Sequence, residues 1–216
     1  MDYKLIRPFS PTIYHGTMSH ELLTLLTKSA NNSRNAKIDF GHRLAGNIKD
    51  QFESVLELED QSIFMDLISV HLRNYFREEW NRVQYHLINK NSVVPNFENM
   101  VFELDSRPWI NFQKANEFNP IHSHSGIMSA VLYIEVPEEI AQEALNPLNT
   151  NMRCPGQIEF MYGSDLLGVN GTHKIIPKTG DILLFHAGLK HTVYPFTSNV
   201  ERVSMSFNVK STVHVI

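Results

Sequence analysis

The chain has 216 residues, 42% of them hydrophobic and 19% charged, with a formal net charge of −4. This balance excludes a largely disordered chain and offers no basic face for a nucleic-acid backbone. Cys154 is the only cysteine, so an internal disulfide framework is excluded, and no stretch has the length and apolarity of a membrane span.

The first sixteen residues read as an extended lead-in. Pro8 and Pro11 favour strand or turn geometry, and Thr12-Ile13-Tyr14 could start an edge strand. Lys4 and Arg7 precede a proline rather than an apolar run, so no signal peptide is expected. The expected location is the cytoplasm. A helix follows, with Ser19 as N-cap, Glu21 in its first turn, an apolar surface at Leu22, Leu23, Leu25 and Leu26, and an end at Asn31-Asn32-Ser33. Residues 33–52 are polar, and Gly41 and Gly46 break any period. In the next segment Phe64, Ile68, Leu72, Tyr75, Phe76 and Trp80 recur at spacings of three and four. That stripe predicts a longer helix covering the outside of a sheet, with His71 as a structural histidine.

From about residue 98 the period changes to two. Strands are expected at 101–104, 109–113, 129–136, 157–162, 173–176 and 182–185, separated by Gly, Pro and Asn turns. Residues 137–155 form an acidic, Pro- and Asn-rich excursion with a helical turn near 138–144, of a length often used for lids. In the last strand Arg202, Ser204, Ser206 and Asn208 alternate with Val203, Met205, Phe207 and Val209. An arginine among small hydroxyls and an amide suits the wall of a polar cavity, with the apolar face turned to the helices. The expected fold is mainly β: a jelly roll (double-stranded β-helix, cupin-like) with supporting N-terminal helices. One domain spans 1–216, with 1–97 as helical support and 98–212 as the core.

Within this frame the chemistry-bearing residues form two groups. His122 and His124, two apart, can approach one ion from a strand end. His191 follows a Gly-containing turn and is the best third ligand. Three ligands on one face leave open positions, the layout of non-haem Fe(II) oxygenases. A bidentate 2-oxo acid and dioxygen would fill those positions. The planar fork of Arg202 suits the far carboxylate of such a co-substrate, with Ser204 adding a hydrogen bond and Tyr133 or Ser129 another. Glu159 is an alternative carboxylate ligand, His186 a pocket wall, His173 an edge residue and Cys154 a loop residue.

Residues 109–209 resemble the 2-oxoglutarate/Fe(II)-dependent oxygenase superfamily. The matching pieces include Trp109-Ile110-Asn111, Asn119-Pro120-x-His122-x-His124, Ser129-x-x-x-Tyr133, Gly156-x-Ile158-x-Phe160 and Pro177-x-x-Gly180-Asp181-Ile182-Leu183-Leu184-Phe185. His191-x-Val193-x-Pro195 and Arg202-Val203-Ser204-Met205-Ser206-Phe207-Asn208 complete the likeness. Weaker likeness in Pro11-Thr12-Ile13-Tyr14 and Leu44-Ala45-Gly46-Asn47 reaches toward the N-terminus. The likeness is nearest to oxygenases of marine bacteria and tailed phages, and prolyl-hydroxylase-like relatives share the architecture. The resemblance implies Fe(II), 2-oxoglutarate and O2, hydroxylation of an unactivated C–H, His122 and His191 as iron ligands, and Arg202 as the 2-oxoglutarate clamp. Asn111 joins the expected cofactor-binding set. One departure stands out: His124 occupies the position where the superfamily usually has Asp or Glu, which leaves the iron one charge more positive.

The substrate is not legible. A peptidyl residue such as proline, a free amino acid, a nucleotide and a small metabolite all remain candidates. Two other classes stay open at this point: a three-histidine cupin-type metalloenzyme that does not use 2-oxoglutarate, and a non-catalytic jelly-roll binding module.

Overall fold

The structure is a computed structural model that describes residues 2–6, 11–86, 96–145, 154–163 and 171–214. Two antiparallel sheets face each other. The larger runs β1 (Tyr3–Ile6), β2 (Ile13–Thr17), β10 (Asp181–His186), β7 (Met128–Glu135), β12 (Arg202–His214), β5 (Trp109–Gln113) and β3 (Asp50–Glu53), with β4 (Met100–Leu104) pairing the far half of β12. The smaller runs β6 (Asn119–His122), β11 (Lys190–Val193), β8 (Ile158–Met161) and β9 (Thr172–Ile175). This is the expected double-stranded β-helix.

Strand alternation divides the core into two. The outward face of the large sheet, with Leu132, Leu184, Met205 and Phe207, packs under α1 (His20–Ala36) and α2 (Leu58–His86) through Leu22, Leu26, Phe64, Ile68 and Leu72. Ile68 and Leu72 are wholly buried, each worth about 1.5–3 kcal/mol of transfer free energy. The inward face splits along its length. At one end Leu183 and Phe185 meet Ile158 and Phe160 of the small sheet in a dry cluster. At the other it is polar, because β12 places Arg202, Ser204, Ser206 and Asn208 there, all buried. These side chains are shielded from bulk water and line a cavity, so the polar alternation builds a cavity wall.

Three expectations are corrected. The first helix continues to Ala36, past the end expected at Asn31-Asn32-Ser33. The Ser33 hydroxyl donates to the Ser29 carbonyl at 2.8 Å and accepts from Val55 N at 2.9 Å, while Ser29 meets Ser54 at 2.9 Å. β2 is not an edge strand, since β1 pairs its outer side. The polar stretch 33–52 contains β3, which pairs β5 with Gln51 opposite Asn111.

His71 is structural as expected: it is buried, its Nδ1 lies 2.8 Å from the Tyr14 hydroxyl, and burial lowers its pKa to about 4. In the acidic excursion, α3 (Glu138–Leu145) is anchored. Ile140 is buried, and the Glu143 carboxylate accepts from the backbone N–H and hydroxyl of both Thr197 and Ser198. The expected excursion's residues 146–153 lie outside the described residues. Among the described residues no helix is long and apolar enough to cross a membrane.

Candidate metal centre

β6 and β11 are hydrogen-bonded neighbours, and their register sets His122 opposite His191. β6 ends at His122, so His124 is not on the strand. The chain turns after His122, and His124 N donates to the Ala187 carbonyl at 2.9 Å. The three rings converge, with centroids 4.2 Å apart for His122 and His191, 4.9 Å for His122 and His124, and 5.1 Å for His124 and His191. One ligating nitrogen from each lies within 4.8 Å of the other two.

The tautomers follow from the acceptors. His122 Nδ1 lies 2.7 Å from the Pro120 carbonyl and His191 Nδ1 lies 2.9 Å from the Leu189 carbonyl. A carbonyl only accepts, so each Nδ1 carries the proton and each Nε2 keeps its lone pair for an ion. Burial and the neighbouring imidazoles lower His191 to about 3 and His124 to about 4, and burial lowers His122. All three are neutral at pH 7, the state that binds a metal.

The same shifts predict an acid-sensitive metal-free fold. Unfolded histidines titrate near 6.5. Below that value the unfolded chain takes up protons that the folded site refuses, so stability is intact above about pH 6.5 and falls as pH drops toward the folded values. The buried His191 ring contributes at most about 1.4 kcal/mol per pH unit in that window, and the half-buried His122 and His124 rings less. Urea unfolding of metal-free protein at pH 7.5 and 5.5 measures the loss. A triple His→Gln variant is expected to flatten the profile.

Glu159, the alternative carboxylate ligand, is not part of this cluster. On β8 the inward positions are Ile158 and Phe160, and Glu159 points to the opposite face. There it accepts from the Tyr194 hydroxyl and lies 3.3 Å from Lys174 Nζ. His186, expected as a pocket wall, is exposed, and its Nδ1 accepts from Gly188 N at 3.0 Å, closing the β10–β11 turn. His173 lies on the edge strand β9.

From the histidines a cavity of about 160 Å³ runs along the polar inner face to Arg202. Arg202 is 3% exposed, and burial pushes its guanidinium down from the ordinary value. Nη1 donates to the Gly156 carbonyl, Nη2 donates to Gln113 Oε1, and Nε has no partner. Among the described residues no carboxylate pairs with it. The Tyr133 ring lies 5.5 Å from the guanidinium carbon, and the buried Tyr133 hydroxyl is also without a partner. Ser204 stands between Asn111 and Tyr133 in register. Asn111 Oδ1 accepts from Gln51 Nε2 at 2.8 Å, and Ser129 donates to Asn208 Oδ1 at 2.7 Å, so both are committed within the wall. A dry cation without a counter-charge and a dry hydroxyl without a partner are costly unless a ligand answers them. A carboxylate fits both, and three neutral nitrogen donors fit a divalent iron.

Two contributors were not among the expected site residues, although Gly156 opens one of the matching pieces. Gln113 continues the polar alternation of Asn111. Its Nε2 donates to the Glu117 carbonyl at 2.5 Å, which aims its oxygen at Arg202. Gly156 has φ +63°, and a Cβ there would lie 2.5 Å from Ile140 Cγ2. Gly156→Ala is therefore expected to cost about 1–3 kcal/mol and to disturb the carbonyl that holds Arg202. A lower urea midpoint with weaker 2-oxoglutarate binding would show both effects.

Residues 107–208 match the family described as "Putative 2OG-Fe(II) oxygenase". The fold is similar to that of a prolyl-4-hydroxylase from Pseudomonas putida, with TM-score 0.55 and 13% identity over 92% of each chain. It is also similar to a prolyl hydroxylase from Trichoplax adhaerens, solved with a hypoxia inducible factor peptide fragment. There the TM-score is 0.52 and the identity 14%, over 92% of this chain and 82% of that one. No curated protein matches the chain in sequence.

Proposed function

We propose that this chain is a 2-oxoglutarate/Fe(II)-dependent dioxygenase, a hydroxylase using Fe(II), 2-oxoglutarate and O2, in which His122, His124 and His191 hold the iron. Arg202 receives the far carboxylate of 2-oxoglutarate, with the Tyr133 and Ser204 hydroxyls beside it. The observation that carries this reading is that the three imidazoles and an unpaired, buried guanidinium share one cavity.

Iron, when bound, supplies the oxidising chemistry: one oxygen atom of O2 goes to succinate as CO2 leaves, and the other turns a substrate C–H into C–OH. The protein's own part is positioning and shielding. The Pro120 and Leu189 carbonyls fix two ring orientations, and Phe185 packs 4.8 Å from the His191 ring to exclude water on that side. Gln113 and the Gly156 carbonyl hold the Arg202 fork so that little ordering remains when the carboxylate arrives. No side chain here is required as a general base.

The two prolyl hydroxylases share the fold at 13% and 14% identity, which leaves this chain's substrate open. The test is succinate formation from 2-oxoglutarate under air. It should depend on added Fe(II) and disappear with a chelator. Succinate that forms equally well without Fe(II) would sink the reading.

A further inference from the structure

The cavity wall is charged in one direction. Its linings include Arg43, Arg202 and the three histidines, and no Asp or Glu, although acidic residues outnumber Lys and Arg in the chain by 23 to 19. If the site holds ferrous iron and 2-oxoglutarate as proposed above, the two charges of the ion and the two of the co-substrate cancel. All three protein ligands are neutral, so none adds a negative charge. The site as a whole then keeps the charge of the two guanidinium groups, Arg202 buried and Arg43 exposed on the cavity wall. Arg202 faces the co-substrate, and Arg43 faces nothing yet described.

Arg43 closes a short 3-10 turn at Gly41–Arg43, on the segment that forms the outer wall. Its guanidinium has no ion pair or hydrogen bond among the described residues. It lies 5.5 Å from the centre of the Phe40 ring, Phe40 stacks on Trp109 at 5.3 Å and 9°, and Trp109 lies 6.1 Å from the His124 ring. A chain of ring contacts, stacked at Phe40–Trp109 and tilted at Trp109–His124, thus leads from Arg43 to a proposed iron ligand. On the same wall Asn119 Oδ1 is buried without a partner, and it packs so closely that a Cβ on Gly46 would lie 2.1 Å from it. Guanidinium forks match oxyanions, and an unfilled amide oxygen matches an N–H or O–H donor.

We propose that Arg43 is the substrate's docking group, and that the substrate is a small molecule carrying an oxyanion, a carboxylate or a phosphate. Arg43 pairs with that anion, Asn119 accepts from an amino or hydroxyl group on the same molecule, and the carbon to be oxidised lies on the histidine side of Trp109. The small cavity, shared with 2-oxoglutarate, limits the portion of substrate it can enclose. This inference rests on the proposed iron and 2-oxoglutarate site.

The test uses full-length protein loaded anaerobically with Fe(II) and 2-oxoglutarate, titrated calorimetrically with matched pairs. These are the common L-amino acids against their primary amides, small hydroxy acids against theirs, and phosphomonoesters against their parent alcohols. Binding is expected only from anionic members, and the carboxylate and phosphate arms identify which oxyanion is taken. Arg43→Ala should weaken the hits at least ~10-fold and Arg43→Lys should restore part of the affinity, with 2-oxoglutarate binding unchanged in both. Equal binding of the neutral partners, wild-type affinity in Arg43→Ala, or no anionic hit at all would overturn the proposal. Failure of the wild-type protein to bind 2-oxoglutarate in the preceding titration would instead overturn the reading beneath it.

Discussion

Arg202→Ala is expected to weaken 2-oxoglutarate binding to the Fe(II)-loaded protein by roughly two to three orders of magnitude, with little change in metal content. Arg202 is 3% exposed and lacks any carboxylate partner among the described residues. A co-substrate carboxylate entering the cavity would form a desolvated, hydrogen-bonded ion pair. Removing one partner of such a pair costs on the order of 2–5 kcal/mol, much of it from the charge left behind. Arg202→Lys should recover only part of this. An ammonium cannot hold the Gly156 carbonyl and Gln113 Oε1 and still present a planar fork to a carboxylate. Gln113→Leu tests the same point with the charge intact: the fork loses an anchor, and affinity should fall about ten-fold. Anaerobic calorimetry reads all three. Unchanged affinity in Arg202→Ala would mean that the carboxylate is held elsewhere.

That Arg202 could be singled out from sequence reflects a physical regularity. One face of β12 packs in the core with the helices and the other lines the cavity, and the period of two in its residues reports both. Helix α2 was legible for a similar reason, since Phe64, Ile68 and Leu72 are buried on one face at helical spacing. Residues 37–53 offered no such period. Their order comes from distant contacts: Gln51 on Asn111 and Phe40 on Trp109. The wall that carries Arg43 was therefore invisible, although the weak likeness at Leu44-Ala45-Gly46-Asn47 fell on it. The histidine pair was legible as a pair, but not in its geometry. Two residues on one strand share a face, whereas His124 reaches the others from beyond the strand, through a bond to the Ala187 carbonyl that no local pattern announces. Glu159 remained an alternative because alternation alone does not say which face is inward. The burial of Ile158 and Phe160 in the dry cluster decides it.

The metal centre itself yields the second large effect. His191→Ala is expected to lower Fe(II) affinity at least ~100-fold and to bring succinate formation to background. The benchmark is that losing a mere outer partner of a metal ligand typically costs 10–100-fold, so loss of a ligand itself should cost more. His191 is the sharper choice than His122 because its surroundings cannot substitute for it. It is 2% exposed, flanked by Phe185 at 4.8 Å and Phe160 at 6.0 Å, and among the described residues no other His, Cys, Asp or Glu joins the three-histidine group. The vacated space would be lined by apolar rings, which offer no replacement ligand. His124 calls for a different pair of substitutions. His124→Ala removes a donor and should also weaken metal binding, while His124→Asp supplies an oxygen ligand that iron accepts and should keep it. Fe(II) or Co(II) titration of the three variants separates the possibilities. If His124→Ala held metal as tightly as the wild type while His191→Ala lost it, the third ring would lie outside the coordination sphere. The charge balance on which the anionic-substrate argument depends would nevertheless be unchanged, because a neutral imidazole adds no charge whether or not it binds.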